Sequence, residues 1–297
     1  MTCSGSTLGG GQLINFEARV PVLGFNVPEA LMLRSDGFSR YHSVQVNFQR
    51  RLSRGFQFNT SYTFSKSMDT SSTDPGSTAG GGRPDVPNAG FIVQADSRDA
   101  RSNYARSDFD RTHRFSASFV YQLPSFGSRS RWLTGFQLAG FVQAQSGTPF
   151  TIFSPEPEAA NVAALAGIRT GSGGLFRLGF GRPDLLTSLA DLARGGNGVD
   201  EPYFNAAALG NPLGGFGNLG RNVLRGPSQK RFDLSLSKTT RITEGTSVEL
   251  RADAFNLFNN VNFANPSGDL ADPNDFGLIT STVGGPRVIQ LGAKFRF

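Results

Sequence analysis

Cysteine is nearly absent: Cys3 stands alone in 297 residues, which excludes a disulfide scaffold and any zinc site built from several cysteines. Histidine is as scarce, with only His42 and His113, so no histidine-rich metal cluster is expected and no cofactor is assigned. No run approaches the roughly 18 uncharged apolar residues that a transmembrane helix needs. The opening MTCSGSTLGGGQ has neither a basic n-region nor an apolar h-region, so no secretory signal is read there. Only 38% of residues are hydrophobic and 18% charged, too few for a helical bundle or an aliphatic-cored enzyme. The basic excess, 29 Lys plus Arg against 23 Asp plus Glu, is scattered. Nucleic-acid binding requires a cluster or stripe, so no such partner is expected.

What is plentiful is phenylalanine, with 27 copies, and glycine, with 37. The phenylalanines fall into segments of period two. In YHSVQVNFQRR, Val44, Val46 and Phe48 oppose Ser43, Gln45, Asn47 and Gln49. In FQFNTSYTFSK, Phe56, Phe58, Tyr62 and Phe64 oppose Gln57, Asn59, Ser61, Thr63 and Ser65. RFSASFVYQL, the segment from Trp132 to Gln145 (Phe141 excepted), RFDLSLSKT, TSVELRADAF and the final RVIQLGAKFRF repeat the pattern. Successive strand side chains point to opposite faces, so each segment has one apolar and one polar face. Seven strands are therefore predicted. QLINFEARV (Ile14, Phe16, Ala18, Val20) offers an eighth, with ALMLR before Ser35-Asp36-Gly37 as its rival.

The connections alternate in length. Tight turns at Arg51–Gly55 and Arg241–Gly245 and a short link at Pro124–Arg131 are interleaved with long connections at about 67–111, 147–228 and 259–286. Long loops are uncommon in compact domains. Three of them on one side of a meander give the layout of an outer-membrane barrel, with short periplasmic turns and long extracellular loops. Alternation alone also suits a soluble sandwich, which would need a buried apolar core. The membrane is favoured by strand lengths near the 9–11 residues of a tilted crossing. It is favoured also by aromatics near strand ends (Tyr41, Tyr62, Phe64, Tyr121, Trp132, Phe258, Phe295, Phe297), placed as an interfacial girdle. The fold class is all-β: an antiparallel transmembrane meander of seven or eight strands, with 1–40 as an upstream segment and 41–297 as the C-terminal barrel segment.

Five blocks in order, YHSVQVNFQRRLSRGFQFNTSYTFSKSMD, DFDRTHRFSASFVYQLP, GFQLAGFVQAQSGTPFTI, FGNLGRNVLRGPSQKRFDLSLSKTTRI and VELRADAFNLFNNVNFANP, carry a resemblance. Together they resemble the C-terminal barrel portion of Oar-like TonB-dependent outer-membrane receptors, the carboxypeptidase-regulatory-like-domain proteins. The resemblance covers about 35–297 and implies a barrel of about 22 strands in the Gram-negative outer membrane. It further implies a plug that engages the TonB system, lipid around the barrel and a large or scarce ligand. This chain shows no plug, so it is expected to be a C-terminal fragment of a longer receptor or a truncated product. The rival expectation is a self-contained eight-strand barrel serving as an adhesin or surface anchor. Proteins of the resembled kind end in an aromatic strand that the barrel-assembly machinery recognises. Here Phe297, with Phe295 and Ala293 on the same parity, fits that signal.

Charged side chains on the polar parity of the last three strands form an expected lumen-facing ladder: Arg231 and Asp233, then Glu249, Arg251 and Asp253, then Lys294 and Arg296. Mutual pairing explains it more simply than a substrate patch or a plug-docking surface. Asp110, His113 and Ser116 invite a catalytic triad, but parity separates His113 from Ser116. DFDRTHR instead reads as a loop end whose charges are solvated near the headgroups, and no enzyme is expected. The glycine-rich stretches lack the lysine-bearing Walker spacing. Asp269, Asp272 and Asp275 lack the order of an EF-hand calcium loop, and 156–194 has helix-like composition.

Overall fold

A computed structural model describes residues 37–72, 100–124, 134–153, 182–210, 217–270 and 273–297. Seven long strands form one antiparallel meander: β1 (Ser39–Ser53), β2 (Phe56–Asp69), β3 (His113–Gln122), β4 (Phe136–Gln145), β5 (Gln229–Arg241), β6 (Ser247–Phe255) and β7 (Val288–Arg296). Each pairs with its sequence neighbours, and the two-residue strand Ala105–Arg106 beside the end of β2 makes the sheet eight-stranded. Among the described residues the eighth strand comes from inside a long connection. The upstream segment 12–34 lies outside the described residues, as do Trp132 and Asp272.

The register keeps polar residues beside polar residues across most of the sheet, with Phe141 an exception on the polar parity. On one face Gln45 opposes Thr63, Thr63 opposes Arg114, and Arg114 opposes Gln145. The row continues through Gln229. Farther along, Asp233 opposes Phe141, Ser235 opposes Asp253, and Asp253 opposes Gln290. Because the side-chain period is two, a slip of one residue in any pair would mix the faces. The opposite face is apolar and open: Val44, Phe48, Phe64, Leu250 and Leu291 are all exposed. Every Asp and Glu of the seven strands, namely Asp69, Asp233, Glu249 and Asp253, falls on the polar parity. That sorting is required if one face meets hydrocarbon and the other a wet lumen.

Local chemistry fixes the inner ends. Arg54 (φ 53°) and Gly55 (φ 77°) are both left-handed, the requirement of a two-residue turn matched to strand twist, and a register shift between Arg50 and Ser53 precedes it. Phe48, Phe56, Phe58 and Tyr121 form a ring cluster near these ends, with centroid spacings from 5.4 to 6.0 Å. At the outer ends the Phe64 ring lies tilted against His113 at 5.3 Å and Phe232 against Phe258 at 5.1 Å. Two aromatic bands thus border the apolar face. Tyr41 departs from the girdle expectation: it lies on the polar parity, opposite Ser67, and lines a recess. Gly140 sits under the Phe119 ring of the neighbouring strand, which fills the space that a Cβ would take.

Among the described residues β1 pairs only with β2 and β7 only with β6, so both sheet edges are open. The two faces respond differently to charge. Ala117→Arg, on the apolar face near mid-strand, is expected to cost about 2–4 kcal/mol of folding free energy in bilayers. Ser118→Arg, one residue on and facing the polar side, should stay within about 1 kcal/mol. Urea titrations in lipid vesicles measure both, and equal costs would refute the assignment of the faces.

Candidate functional site

The buried apolar core sits outside the membrane-spanning strands. Phe150, Ile152, Leu192, Phe204, Ala208, Leu219 and Leu224 form one cluster, and all come from the connection between β4 and β5. Phe204 is 1% exposed, with Phe150 at 6.0 Å and Phe276 edge-on at 5.0 Å. Phe276 comes from the β6–β7 connection, so the core joins two long connections. Short pairings hold it: Pro149–Phe150 with Leu224–Arg225, and Asp184–Leu185 with Leu209–Gly210. The helix-like 156–194 contributes one helical turn, Leu189–Leu192, capped by Ser188 Oγ accepting from the Asp191 amide; 154–181 lies outside the described residues.

A buried polar network welds this body to the outer ends of the strands. Arg221 donates to the carboxylate and carbonyl of Asp69, the last residue of β2, and reaches Asp108 Oδ1 at 3.5 Å. Asn222, left-handed at φ 55°, donates from Nδ2 to Asp108 Oδ1 at 2.6 Å and to the Arg106 carbonyl at 2.7 Å. Asp110, whose side chain is fully buried, accepts from Arg106 at 2.9 Å, from Arg225, and from the Ser67 amide at 2.7 Å. Arg182 donates to Asn103, while its Nε has no partner among the described residues. Burial, then the nearby Arg221 charge, lowers its pKa to about 10. Such paired buried ions contribute less to net stability than to fixing one geometry, and removing one partner is costly.

Beside the network a recess of about 340 Å³ opens on the polar face. Tyr41 and Phe109, both more than half exposed, offer ring faces, and Gln45, Thr63 and Ser65 supply polar groups. Arg114 faces the same space and makes no ion pair among the described residues. The recess can therefore hold a polar ligand by ring stacking and a charge-assisted hydrogen bond.

The ladder residues lie in one register, but their pairing is partly within strands. Arg231 bonds Asp233 at 2.8 Å and Arg251 bonds Asp253 at 2.8 Å, each two residues along the same strand. Glu249 does not join Arg251; it bonds Arg296 of the neighbouring strand at 3.1 Å, with Lys294 directly opposite. Asp233 also caps the β6 end by accepting from the Asn256 amide at 2.8 Å. Ala293 and Phe295 lie on the apolar face at the inner end, and the Phe295 and Phe297 rings are 5.8 Å apart. His113 is placed against the Tyr62 hydroxyl, its Nδ1 2.8 Å away, on the face opposite Ser116.

The solvated reading of DFDRTHR is corrected: Asp110 is 1% exposed and held between two arginines. One of them, Arg225, lies 115 residues away, beyond the reach of a local reading. The signal available was the Arg221-x₃-Arg225 spacing in a glycine-rich connection, set against Asp108-x-Asp110.

Asp110→Asn should leave the two arginines under-compensated and cost the outer body about 3–5 kcal/mol. Limited proteolysis is expected to cut the connections sooner while the strands keep their heat-modifiable migration. Unchanged protease resistance would show that the network does not hold the body.

Among curated proteins and among solved structures, no relative matches the chain. A family model described as an outer membrane beta barrel domain matches residues 6–290. It agrees with the two-faced meander, its bordering aromatic bands and its alternating connections. The chain belongs to the outer membrane beta barrel domain family and is a protein of the Gram-negative outer membrane.

Proposed function

We propose that this chain is the C-terminal barrel portion of a TonB-dependent, Oar-like receptor that binds and imports a large or scarce ligand. The observation that carries the reading is the open sheet. Among the described residues the meander has both edges unpaired, and backbone groups facing lipid there need further strands to complete a barrel. A barrel of about 22 strands supplies them and leaves a lumen wide enough for a plug. The outer connections 70–112 and 146–228, fixed together through Arg221 and Arg225, form the ligand's first contact surface. The recess at Tyr41, Phe109 and Arg114 opens toward the lumen beneath it. The polar ladder from Arg231 to Arg296 lines the wall that faces the plug.

In this reading Phe297, with Phe295 and Ala293, is the signal for the barrel-assembly machinery. Phe297 is 97% exposed, so its deletion removes little packing within the sheet. Deleting it should lower the heat-modifiable protein in the outer-membrane fraction and leave synthesis unchanged; full recovery would argue against the signal.

The receptor reading is tested on the whole gene product in cells. Co-purification with the periplasmic domain of TonB is expected, whereas crosslinks between cysteines in 12–34 and in β7 are not. Efficient 12–34 to β7 crosslinking, with no TonB association, would favour the self-contained eight-strand barrel.

A further inference from the structure

We infer that the recess at Tyr41, Phe109 and Arg114 binds an acidic glycan, with a uronate carboxylate on Arg114. The inference names the ligand's chemistry and rests on the receptor reading for the route by which that ligand arrives. Three kinds of group meet in one space of about 340 Å³, within the size range of small-ligand sites. The first is ring surface. Tyr41 is 58% exposed and Phe109 52%, and neither packs against another ring among the described residues. A pyranose has one face of C–H groups, which lies against apolar ring surface and leaves the hydroxyl-bearing edge free.

The second is a pair of groups suited to hydroxyls. Gln45 and Thr63 stand directly opposite each other on β1 and β2, and neither side chain is bonded among the described residues. An amide and a hydroxyl each donate and accept, as sugar hydroxyls do. Tyr41 and Gln45 are four residues apart on one strand, about 13 Å, which suits linked rings better than one small ring. The third is charge. Arg114 lies opposite Thr63 and makes no ion pair among the described residues. Asp110 borders the recess, but its carboxylate is taken by Arg106 and Arg225, and Arg111 Nη1 donates to the Ser146 carbonyl at 2.7 Å. The planar fork of Arg114 matches one carboxylate. A carboxylate brings a single charge past Asp110, where a phosphate would bring about two. Lys294 also lies on the polar face without an ion pair among the described residues, and Phe141 also exposes a ring there. Both stand outside the recess. The meeting of the three groups in one space selects a charged sugar. An aromatic acid leaves Gln45 and Thr63 unused, and a neutral sugar leaves Arg114 unused.

The test uses the full-length protein from outer membranes, in detergent. It is titrated calorimetrically with trimers of galacturonate, glucuronate and mannuronate and with the methyl ester of each. At least one acid should bind about tenfold tighter than its ester, the worth of one strong charge-assisted contact. Arg114→Gln should erase that preference, and Arg114→Lys should keep part of it. Tyr41→Ala should weaken acid and ester alike, by up to about tenfold. Lys294→Gln and Phe141→Ala should stay within about twofold. Heat-modifiable migration of each variant establishes that it is folded. Binding of no trimer, or a preference for acid that survives in Arg114→Gln, would overturn the inference. So would displacement by equimolar benzoate, which would mark a site for aromatic acids. TonB co-purification from the same preparations separates the two readings. Absent binding with TonB association intact removes the ligand class and leaves the receptor. Acid-selective binding that Arg114→Gln abolishes, without TonB association, supports the recess and removes the receptor.

Discussion

No water reaches a backbone N–H or C=O inside hydrocarbon, and each one left unpaired there costs several kcal/mol. That constraint makes a hydrogen-bonded sheet the scaffold and dictates where side chains go. With the backbone satisfied between strands, each residue has one of two destinations, lipid or lumen. The sorting of Asp69, Asp233, Glu249 and Asp253 onto a single face is its consequence. So is the placement of apolar side chains on the outside, where a water-soluble protein would lose by exposing them.

The same constraint moves the conventional core elsewhere. Buried apolar side chains such as Ile152, Leu192 and Phe204 belong to the outer connections, where water is the solvent and burial is favourable. The connections are therefore a folded body mounted on the strands. Its attachment is ionic: Arg221 and Arg225 reach down to Asp69 and Asp110 at the strand ends. Apolar attachment would leave the surface free to shift, whereas charge-assisted hydrogen bonds from cations to buried carboxylates select one arrangement.

Much of this was legible in the residues. The strands β1 to β7 follow from period two, and the short and long connections from the turn residues between them. Boundaries moved by a few residues: β2 continues to Asp69, into what reads as loop, because Met68 and Asp69 pair with Ala105 and Arg106. The alternation also assigned the ladder's charges to one face. Which charge meets which was not legible, and Glu249 turned to Arg296 and not to Arg251. Tyr41 sits near a strand end, as a girdle residue does, but its parity puts it on the polar face, because parity and not position along the strand decides the face.

Face, period and strand order are local properties, repeated every two residues and joined by short turns, so the amino-acid sequence determined them by itself. The outer body is different in kind. Asp69 and Arg221 are separated by 152 residues, and neither has a neighbour that announces the other. Only the sheet, by bringing the β2 end beside the connection that follows β4, placed them together. Desolvation then made the pairing obligatory, since neither charge can be buried without its partner.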